Sequence, residues 1–233
     1  KTYKFGEYIM IYSVALDGPG GAGKSTIAKE IAKQKNIVYV DTGAMYRAIG
    51  LYMLCNGIDI NDSRAVCAAL PAVDIKLEYT DGAQRIILCG KDVSTEIRKN
   101  EVSMAASTVS AYPLVRQFLL ETQRSLAKTQ SVIMDGRDIG TVVLPNATVK
   151  IFITADSRVR AQRRYKELLQ RGEEITYEKV LRDIQRRDYR DSHRRAAPLK
   201  QAEDAVLLDT SDMDFDTAVK AVKDIIENKA GKD

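Results

Sequence analysis

A glycine-rich segment at residues 18–26, GPGGAGKST, constrains this chain of 233 residues more than any other feature. It fits the pattern G-x-x-x-x-G-K-[S/T]. An apolar run precedes it at residues 12–16, and a helical pattern follows at residues 24–35. This is the strand–loop–helix context that the motif requires, so we predict a loop that wraps the phosphates of a nucleoside triphosphate at a helix N-terminus.

The residue types of this loop suit an anion. Glycines let the backbone turn its N–H groups inward, Lys24 can reach the β- and γ-phosphates, and the Ser25 hydroxyl can ligate the Mg²⁺ that accompanies ATP. The alternative is a glycine-rich turn without a ligand. The predicted ATP-binding residues are Gly18, Pro19, Gly20, Gly21, Ala22, Gly23, Lys24, Ser25 and Thr26.

The loop predicts a phosphoryl donor without naming the acceptor. ATPases, GTPases and small-molecule kinases share it. The sequence lacks the base-reading N-K-x-D of switch GTPases, and 233 residues are too few for a motor or transporter ATPase. A small kinase is therefore favoured.

Apolar, β-branched runs alternate with helical patterns along the chain. This alternation predicts one α/β domain over residues 1–233, with a mostly parallel sheet covered by helices on both faces and ligands at the carboxyl ends of the strands. The predicted strands are residues 12–16, 37–40, 132–134, 149–153 and 205–208. The predicted helices are residues 24–35, 44–56, 113–127, 158–171, 177–190 and 215–227.

One stretch interrupts the alternation. Residues 74–79 and 84–89 alternate polar and apolar side chains, with Thr-Asp-Gly-Ala at residues 80–83 between them. This pattern predicts a hairpin with Asp-Gly in its turn. We expect a small antiparallel insert at about residues 70–105.

Composition narrows the class of protein. The sequence is 45% hydrophobic, with no apolar run long enough for a bilayer and no signal-peptide pattern. Cys55, Cys67 and Cys89 form no C-x-x-C pair, so we expect buried free thiols in a reducing cytoplasm. A single histidine, His193, argues against a zinc site. We hypothesise that Met10 is the native start and that residues 1–9 are not native.

Positive charge is concentrated at residues 158–195, which hold eleven Arg and two Lys against seven acidic residues. Two basic helices joined at Arg171-Gly172 can close over phosphates as a lid, at about residues 156–195. A solvated helix face with ion pairs is the alternative. Nucleic-acid binding is disfavoured, because acidic residues are interleaved with the arginines and aromatic residues make up only 6% of the sequence.

Two further strand ends supply candidate acceptor groups. Asp41 or Thr42 can cap the helix after the second strand, and Arg47 follows in its first turns. A guanidinium there can clamp a second phosphate, although a surface arginine is equally compatible with the sequence. Asp135 follows the third strand, in the segment DGRD at residues 135–138. Its carboxylate can hydrogen-bond to a group that ligates Mg²⁺ directly. Alternatively, as we slightly prefer, it can cap the end of the strand.

Several motifs in order resemble those of bacterial cytidylate (CMP) kinases, members of the nucleoside monophosphate kinases. Besides the phosphate loop they are DTGAMYR at residues 41–47, DGRDIGT at 135–141 and RDYRD at 187–191. The hairpin before VSMAAS at residues 102–107 resembles the enlarged monophosphate-binding region of the bacterial members. The resemblance runs from about Tyr12 to the last helix. Thr42 stands where many members have Ser, which keeps the hydroxyl.

This resemblance implies a five-stranded parallel core sheet, a monophosphate-binding insert and a mobile lid. It implies the reaction ATP + CMP → ADP + CDP with Mg²⁺, in pyrimidine nucleotide metabolism, and dCMP as a second acceptor. The residues that match the family's monophosphate site are Thr42, Tyr46, Arg47, Ser107, Arg116, Arg137, Asp138, Arg187, Asp191 and Arg194.

Physical chemistry suggests roles at these positions. We expect the CMP phosphate to be held by Arg47, Arg137 and Arg194. We expect Asp138 to accept from the cytosine amino group and Arg116 to donate to the O2/N3 edge, whereas UMP presents a carbonyl that the carboxylate repels. Asp191 and Arg187 can contact the ribose. We expect Lys24, Arg137, Arg163 and Arg164 to stabilise the negative charge of the phosphoryl group during its transfer.

Two other classes of function stay open at this point. One is a kinase for another small acceptor, such as UMP, a nucleoside or shikimate. The arginines at residues 47, 137 and 194 favour an acceptor that already carries a phosphate. The other is a nucleic-acid-binding module. By analogy with proteins of this size in the superfamily, we expect a monomer without a nucleic-acid or membrane partner.

Overall fold

The computed structural model describes residues 11–80 and 83–230. The hypothesis about Met10 and the predicted Asp-Gly turn lie outside these ranges. The strands are β1 (Ser13–Asp17), β2 (Val38–Asp41), β3 (Ile75–Thr80), β4 (Ala83–Leu88), β5 (Lys91–Asp92), β6 (Val132–Asp135), β7 (Val149–Thr154) and β8 (Val206–Asp209). The α-helices are α1 (Lys24–Lys35), α2 (Thr42–Cys55), α3 (Ser63–Ala69), α4 (Asn100–Val109), α5 (Pro113–Thr129), α6 (Ser157–Gln170), α7 (Tyr177–His193) and α8 (Phe215–Ala230).

A five-stranded sheet in the order β2-β6-β1-β7-β8 forms the centre, and all its pairs are parallel. Successive residues of β1 face opposite sides of the sheet. Val14 and Leu16 pack with residues of α1 and α8, whereas Ala15 packs in a cluster with Ile139 and Val143 on the other side. The predicted three-layer α/β/α fold with a five-stranded parallel sheet is confirmed.

The register of this sheet aligns the ends of three strands. Asp41 of β2 lies opposite Asp135 of β6, and Leu16 of β1 lies opposite the same residue. Asp17 is the next residue of β1. Three buried carboxyl groups therefore lie along one edge of the sheet, which is the edge where parallel sheets bind ligands.

The small sheet β3-β4-β5 is antiparallel and runs in the register Ile75↔Leu88 to Thr80↔Ala83. The predicted hairpin is confirmed with its strands shifted by one residue, and the short third strand was missed. Ile86 and Leu88 of β4 belong to a buried cluster with Met45, Ile49 and other residues of α2. The insert is thus attached to α2.

Helices α3 and α4 were not predicted. Helix α3 has only seven residues and begins at the cap residue Asp62, whose carboxylate accepts from two backbone N–H groups. Helix α4, NEVSMAASTV, is rich in Asn, Ser and Thr, residues that favour a helix only weakly. It is stabilised by packing, because its buried residues lie against α2.

The prediction that the thiols are buried was wrong. All three cysteines are free, but Cys55 and Cys89 are exposed and Cys67 is half-buried. Cys55 is the last residue of α2, and Cys89 lies in a turn with a φ of 48° after β4. Both positions end an element at the surface, which apolar composition alone does not reveal. Among the described residues, no helix is both long and apolar enough to cross a membrane.

Helices α2 and α4 approach closely at Gly50. A Cβ at Gly50 would lie 2.9 Å from the backbone nitrogen of Ala106 and 3.1 Å from the Cβ of Ala105. We predict that Gly50→Ala lowers the free energy of unfolding by about 1–3 kcal/mol, because the two backbones must separate. Thermal denaturation measures this, with Ala68→Ser on an exposed helix position as a control that also adds one heavy atom. Equal stability of the two variants would contradict the prediction.

Candidate active site

The phosphate loop joins β1 to α1, and its glycines are required by geometry. Gly18 has a φ of 144°, and a Cβ there would lie 1.9 Å from the carbonyl oxygen of Ile153. Gly21 and Gly23 have φ values of 79° and 86°. These left-handed conformations favour glycine. The predicted strand–loop–helix context is therefore present.

Lys24 begins α1 and is buried. Its ammonium donates to the carbonyl oxygen of Pro19 at 2.7 Å, inside the same loop. Burial, reinforced by the nearby Arg137, lowers the pKa of Lys24 well below its usual range. A bound polyanion would favour the charged form of this ammonium.

Asp135 contacts two hydroxyl groups. The Ser25 hydroxyl donates to its carboxylate, and the Tyr39 hydroxyl donates to it at 3.2 Å. Burial, with the nearby Asp41, raises the pKa of Asp135. The two described hydrogen bonds come from side-chain hydroxyls rather than from a backbone N–H. They favour the support of Ser25 over the cap that we slightly preferred from the sequence.

Of the two predicted cap candidates, Asp41 and Thr42, the structure has Asp41 as the cap of α2, and its carboxylate accepts from the N–H of Ala44 at 2.9 Å. The same carboxylate accepts from Arg47 at 2.7 Å and lies 3.5 Å from Arg98. Burial works to raise the pKa of Asp41, but Arg47 and Arg98 help to hold it below its usual value. The hydroxyl of Thr42 donates to the backbone oxygen of Asp135 at 2.8 Å. The ion pair with Asp41 directs Arg47 into the site, and the side chain of Arg47 is only 16% exposed.

Arg116 and Asp138 form a buried ion pair whose side chains are 10% and 6% exposed. Arg116 also donates to the carbonyl oxygen of Ser110 at 3.1 Å, and its guanidinium lies 5.3 Å from the ring centroid of Tyr46. Arg194 lies 3.7 Å from the other oxygen of Asp138. A carboxylate acceptor and guanidinium donors thus lie side by side.

Asp191 connects two further arginines. It accepts from Arg137 at 2.9 Å and lies 3.9 Å from Arg187, its neighbour on α7. Burial, with the nearby Arg137, lowers the pKa of Arg187 to about 10. Helix α7 ends at His193, so Arg194 follows directly after it. The predicted grouping of Arg187, Asp191 and Arg194 at one site is present.

Three arginines of α6 are held by oxygen atoms. Arg163 donates to the carbonyl oxygen of Thr210 at 2.7 Å, and Arg164 pairs with Glu167 at 2.8 Å. Arg160, which we did not predict, is buried, donates to the carbonyl oxygen of Gly20 at 3.1 Å and pairs with Asp188 at 2.7 Å. The pair Arg160–Asp188 differs from the solvated ion pairing that the sequence offered as the alternative, because Arg160 is buried and links the phosphate loop to α7.

These groups line one cavity of about 880 Å³. The predicted residues that line it are Gly20, Gly21, Gly23, Lys24, Ser25, Thr26, Thr42, Tyr46, Arg47, Ser107, Arg116, Arg137, Asp138, Arg163, Arg164, Arg187, Asp191 and Arg194. Gly18, Pro19 and Ala22 shape the phosphate loop from outside the lining. Lining residues that we missed include Lys29, Arg98, Asn100, Ser103 and Ser110. Only the charges of Lys29 and Arg98 gave a sequence signal, and no motif contains them.

Ser107 shows how a weak sequence position enters the site. It lies on α4, is buried, and its hydroxyl is 3.3 Å from Arg190 of α7.

Within the described ranges, no three His, Cys, Asp or Glu side chains gather as metal ligands. The cavity instead combines buried cations with a glycine-rich loop, which is a chemistry for binding polyanions.

Comparison with known proteins gives a consistent result. Residues 14–228 match the cytidylate kinase family. A cytidylate kinase of Leuconostoc mesenteroides is 49% identical over 93% of this chain and 97% of the relative. The cytidylate kinase of Caldicellulosiruptor bescii is 46% identical over 91% of this chain and 94% of the relative. That of Pediococcus pentosaceus is 45% identical over 93% and 96%.

The buried pair Arg116–Asp138 generates a stability prediction. Removing one partner leaves a buried charge, so we expect Arg116→Gln and Asp138→Asn each to cost about 3 kcal/mol. The double variant should cost less than the sum, with a coupling free energy of about 1–3 kcal/mol. Urea denaturation of the four proteins of this cycle gives the coupling.

The matched control is the exposed pair Lys179–Asp183, whose groups lie 3.1 Å apart and are 55% and 34% exposed. The same cycle there should give about 0.5 kcal/mol. A coupling at Arg116–Asp138 no larger than this would show that burial adds nothing to the pair.

Proposed function

The chain belongs to the cytidylate kinase family and phosphorylates CMP with ATP, and we propose that its cavity does so as two facing anion sites. One site holds the triphosphate donor and the other holds the phosphate of CMP. The observation that carries the assignment of CMP to the second site is the buried pair Asp138–Arg116, which offers a hydrogen-bond acceptor beside donors. Those are the groups that the cytosine edge needs.

The donor site is the phosphate loop. Its N–H groups and Lys24 would hold the phosphates of ATP, and the substrate is the complex of ATP with a divalent cation, usually Mg²⁺. The adjacent oxygens of Ser25 and Asp135 are the hard donors that Mg²⁺ prefers. Ser25 would be the direct protein ligand, and Asp135 would orient it.

The acceptor phosphate site consists of Arg47, Arg137 and Arg194. The Nε of Arg47 and the Nη2 of Arg194 are buried and have no hydrogen-bond partner among the described residues. Buried donors without partners are costly, and a phosphate would supply the missing acceptors. Each arginine also lies beside a carboxylate, which reduces repulsion among the cations before the substrate binds.

The base site is Asp138 with Arg116. Cytosine donates from its amino group and accepts at N3 and O2, so it is complementary to a carboxylate beside a guanidinium. UMP offers an oxygen in place of the amine, which the carboxylate of Asp138 repels. We also propose that Asp191 and Arg187 contact the ribose and that dCMP is a second acceptor.

The transfer step needs no general base. The second ionisation of a phosphate monoester has a pKa of about 6, so the attacking oxygen is largely ionised at neutral pH. The protein's task is to align two polyanions and to stabilise the phosphoryl group in flight. We assign that charge to Lys24, Arg137, Arg163 and Arg164. The last two would exchange their oxygen partners for phosphate as the lid closes.

The organisation around the site is part of the proposal. We treat the chain as one kinase domain in which residues 70–105 form the monophosphate-binding insert and residues 156–195 form the lid. Closure of the lid would exclude water, which otherwise hydrolyses ATP. We further propose a cytoplasmic monomer without a nucleic-acid or membrane partner, and the three free cysteines suit a reducing compartment.

Replacing Lys24 tests the donor site. Lys24→Met should lower kcat by about 100-fold or more, because it removes positive charge from the phosphoryl group in flight. A coupled assay of ADP release with CMP measures this. Lys33→Met changes an exposed lysine of the same helix and should leave kcat unchanged. Normal turnover of Lys24→Met would remove Lys24 from the mechanism.

Replacing Asp138 tests the base site. Asp138→Ala should lower the ratio of kcat/KM for CMP to kcat/KM for UMP by at least about tenfold, which corresponds to one charge-assisted hydrogen bond. The same assay with both nucleotides gives the ratio, and Asp216→Ala, an exposed residue of α8, is the control. An unchanged ratio would place base recognition on other residues.

A further inference from the structure

Asp17 is a buried carboxyl group that none of the roles above uses. It is the last residue of β1, directly before Gly18, and is only 4% exposed. Its two oxygens accept from the backbone N–H groups of Ile139 and Gly140, both at 2.7 Å. Asp17 therefore reaches from the donor loop to a segment 122 residues later in the chain.

The segment that Asp17 holds carries the acceptor groups. Arg137 and Asp138 come immediately before a π-helical turn, Ile139–Val143. The first N–H groups of a helical turn have no partner within it, and Asp17 supplies acceptors for two of them. Because a peptide unit is planar, a hydrogen bond to the N–H of Ile139 also restrains the carbonyl end of Asp138.

The surroundings leave this segment little space. A Cβ at Gly140 would lie 3.1 Å from Cδ of Lys150 and 3.4 Å from an oxygen of Asp17. The ammonium of Lys150 does not compensate Asp17, because it binds the carbonyl oxygen of Pro145 at 2.6 Å and Asp204 at 2.8 Å. The backbone N–H groups are thus the principal partners of Asp17.

The electrostatics of Asp17 also point to a role other than stability. Burial raises the pKa of Asp17 to about 6, against the lowering effect of the two N–H groups, while the nearby Asp138 raises it and Lys24 lowers it. For an acid with a raised pKa, ionisation costs the folded state free energy. Its contribution to stability therefore falls as the pH rises from the ordinary value of Asp to about 6.

We propose that Asp17 is a positioning residue that sets Arg137 and Asp138 for the acceptor and links their place to the donor loop. This inference rests on the proposed function of those two residues. Asp17 touches neither substrate. It acts by holding the backbone from which the phosphate-binding guanidinium and the base-reading carboxylate extend.

Asp17→Asn tests this role with little change in volume. An amide offers one oxygen, and its NH₂ group faces the second N–H, so one hydrogen bond becomes a contact between two donors. We expect KM for CMP to rise by about tenfold and the CMP/UMP ratio to fall, because small misplacements near reacting groups are costly. KM for ATP should stay within about twofold, since the phosphate loop keeps its own glycines and Lys24.

The pH profile separates positioning from a merely structural role. The ratio of kcat/KM for CMP, wild type over Asp17→Asn, should be high above pH 6 and fall below it, as the wild-type carboxyl protonates. Ionisation of the CMP phosphate affects both proteins alike and cancels in the ratio. The charged groups that face Asp17, Lys24 and Asp138, are the same in both proteins.

Asp209→Asn is the matched control. Asp209 ends β8 at the same edge of the sheet, is exposed and accepts from the N–H of Ser211 at 2.9 Å. Its replacement should leave KM for CMP unchanged. Gly140→Ala is an independent variant that displaces the same segment with Asp17 intact, and it should reproduce the rise in KM for CMP. If Asp17→Asn does not fold, an unchanged KM for CMP in Gly140→Ala overturns the proposal.

The outcomes are distinct. Equal rises in KM for ATP and CMP, or no change in KM for CMP and a flat pH ratio, would overturn the role of Asp17. These results leave the proposed function intact if the wild type phosphorylates CMP and Asp138→Ala lowers the CMP/UMP ratio of kcat/KM. If Asp138→Ala does not change the preference, the proposed base site fails first, whatever Asp17→Asn does.

Discussion

Three buried carboxyl groups at the ends of adjacent parallel strands hold the site together. Asp41, Asp135 and Asp17 end β2, β6 and β1. The register of the sheet places Asp41 opposite Asp135, and Asp17 follows the residue of β1 that pairs with Asp135. Each has different partners. Asp41 binds guanidinium groups, Asp135 accepts from hydroxyls, and Asp17 accepts from backbone N–H groups. This edge of the sheet thereby orients α2, the phosphate loop and the loop after β6.

The cavity between these elements balances its own charge. Buried arginines would repel one another and favour unfolding, but each lies near a carboxylate. Arg116 pairs with Asp138, and Arg137 pairs with Asp191. Several guanidinium nitrogen atoms nevertheless lack hydrogen-bond partners among the described residues. The site thus pairs its cations with internal carboxylates and still offers donors that a phosphate can satisfy.

Two glycines allow backbone segments around the site to pack closely. Gly18 and Gly50 lie where a Cβ would contact backbone atoms at 1.9 Å and 2.9 Å. The first lets the phosphate loop pass β7, and the second lets α4, which carries Ser107, approach α2, which carries Arg47. In both places the absence of a side chain brings functional groups closer than packed side chains would allow.

The sequence by itself determined the features that depend on local spacing. The phosphate loop, the start of α1 at Lys24, the cap at Asp41 and the five core strands follow from motif and periodicity, because neighbouring residues define them. Motif order predicted which arginines share a cavity. Their roles towards CMP stay predictions.

Only the tertiary structure decided the partners. That Arg116 pairs with Asp138, that Arg160 joins the phosphate loop to Asp188, and that Asp17 holds Gly140 depend on strand register and helix packing between distant residues. Helix α4, whose Asn, Ser and Thr residues favour a helix only weakly, is stabilised because it packs against α2. Two cysteines expected in the core lie exposed at element ends, since burial depends on what packs against a residue as well as on its type.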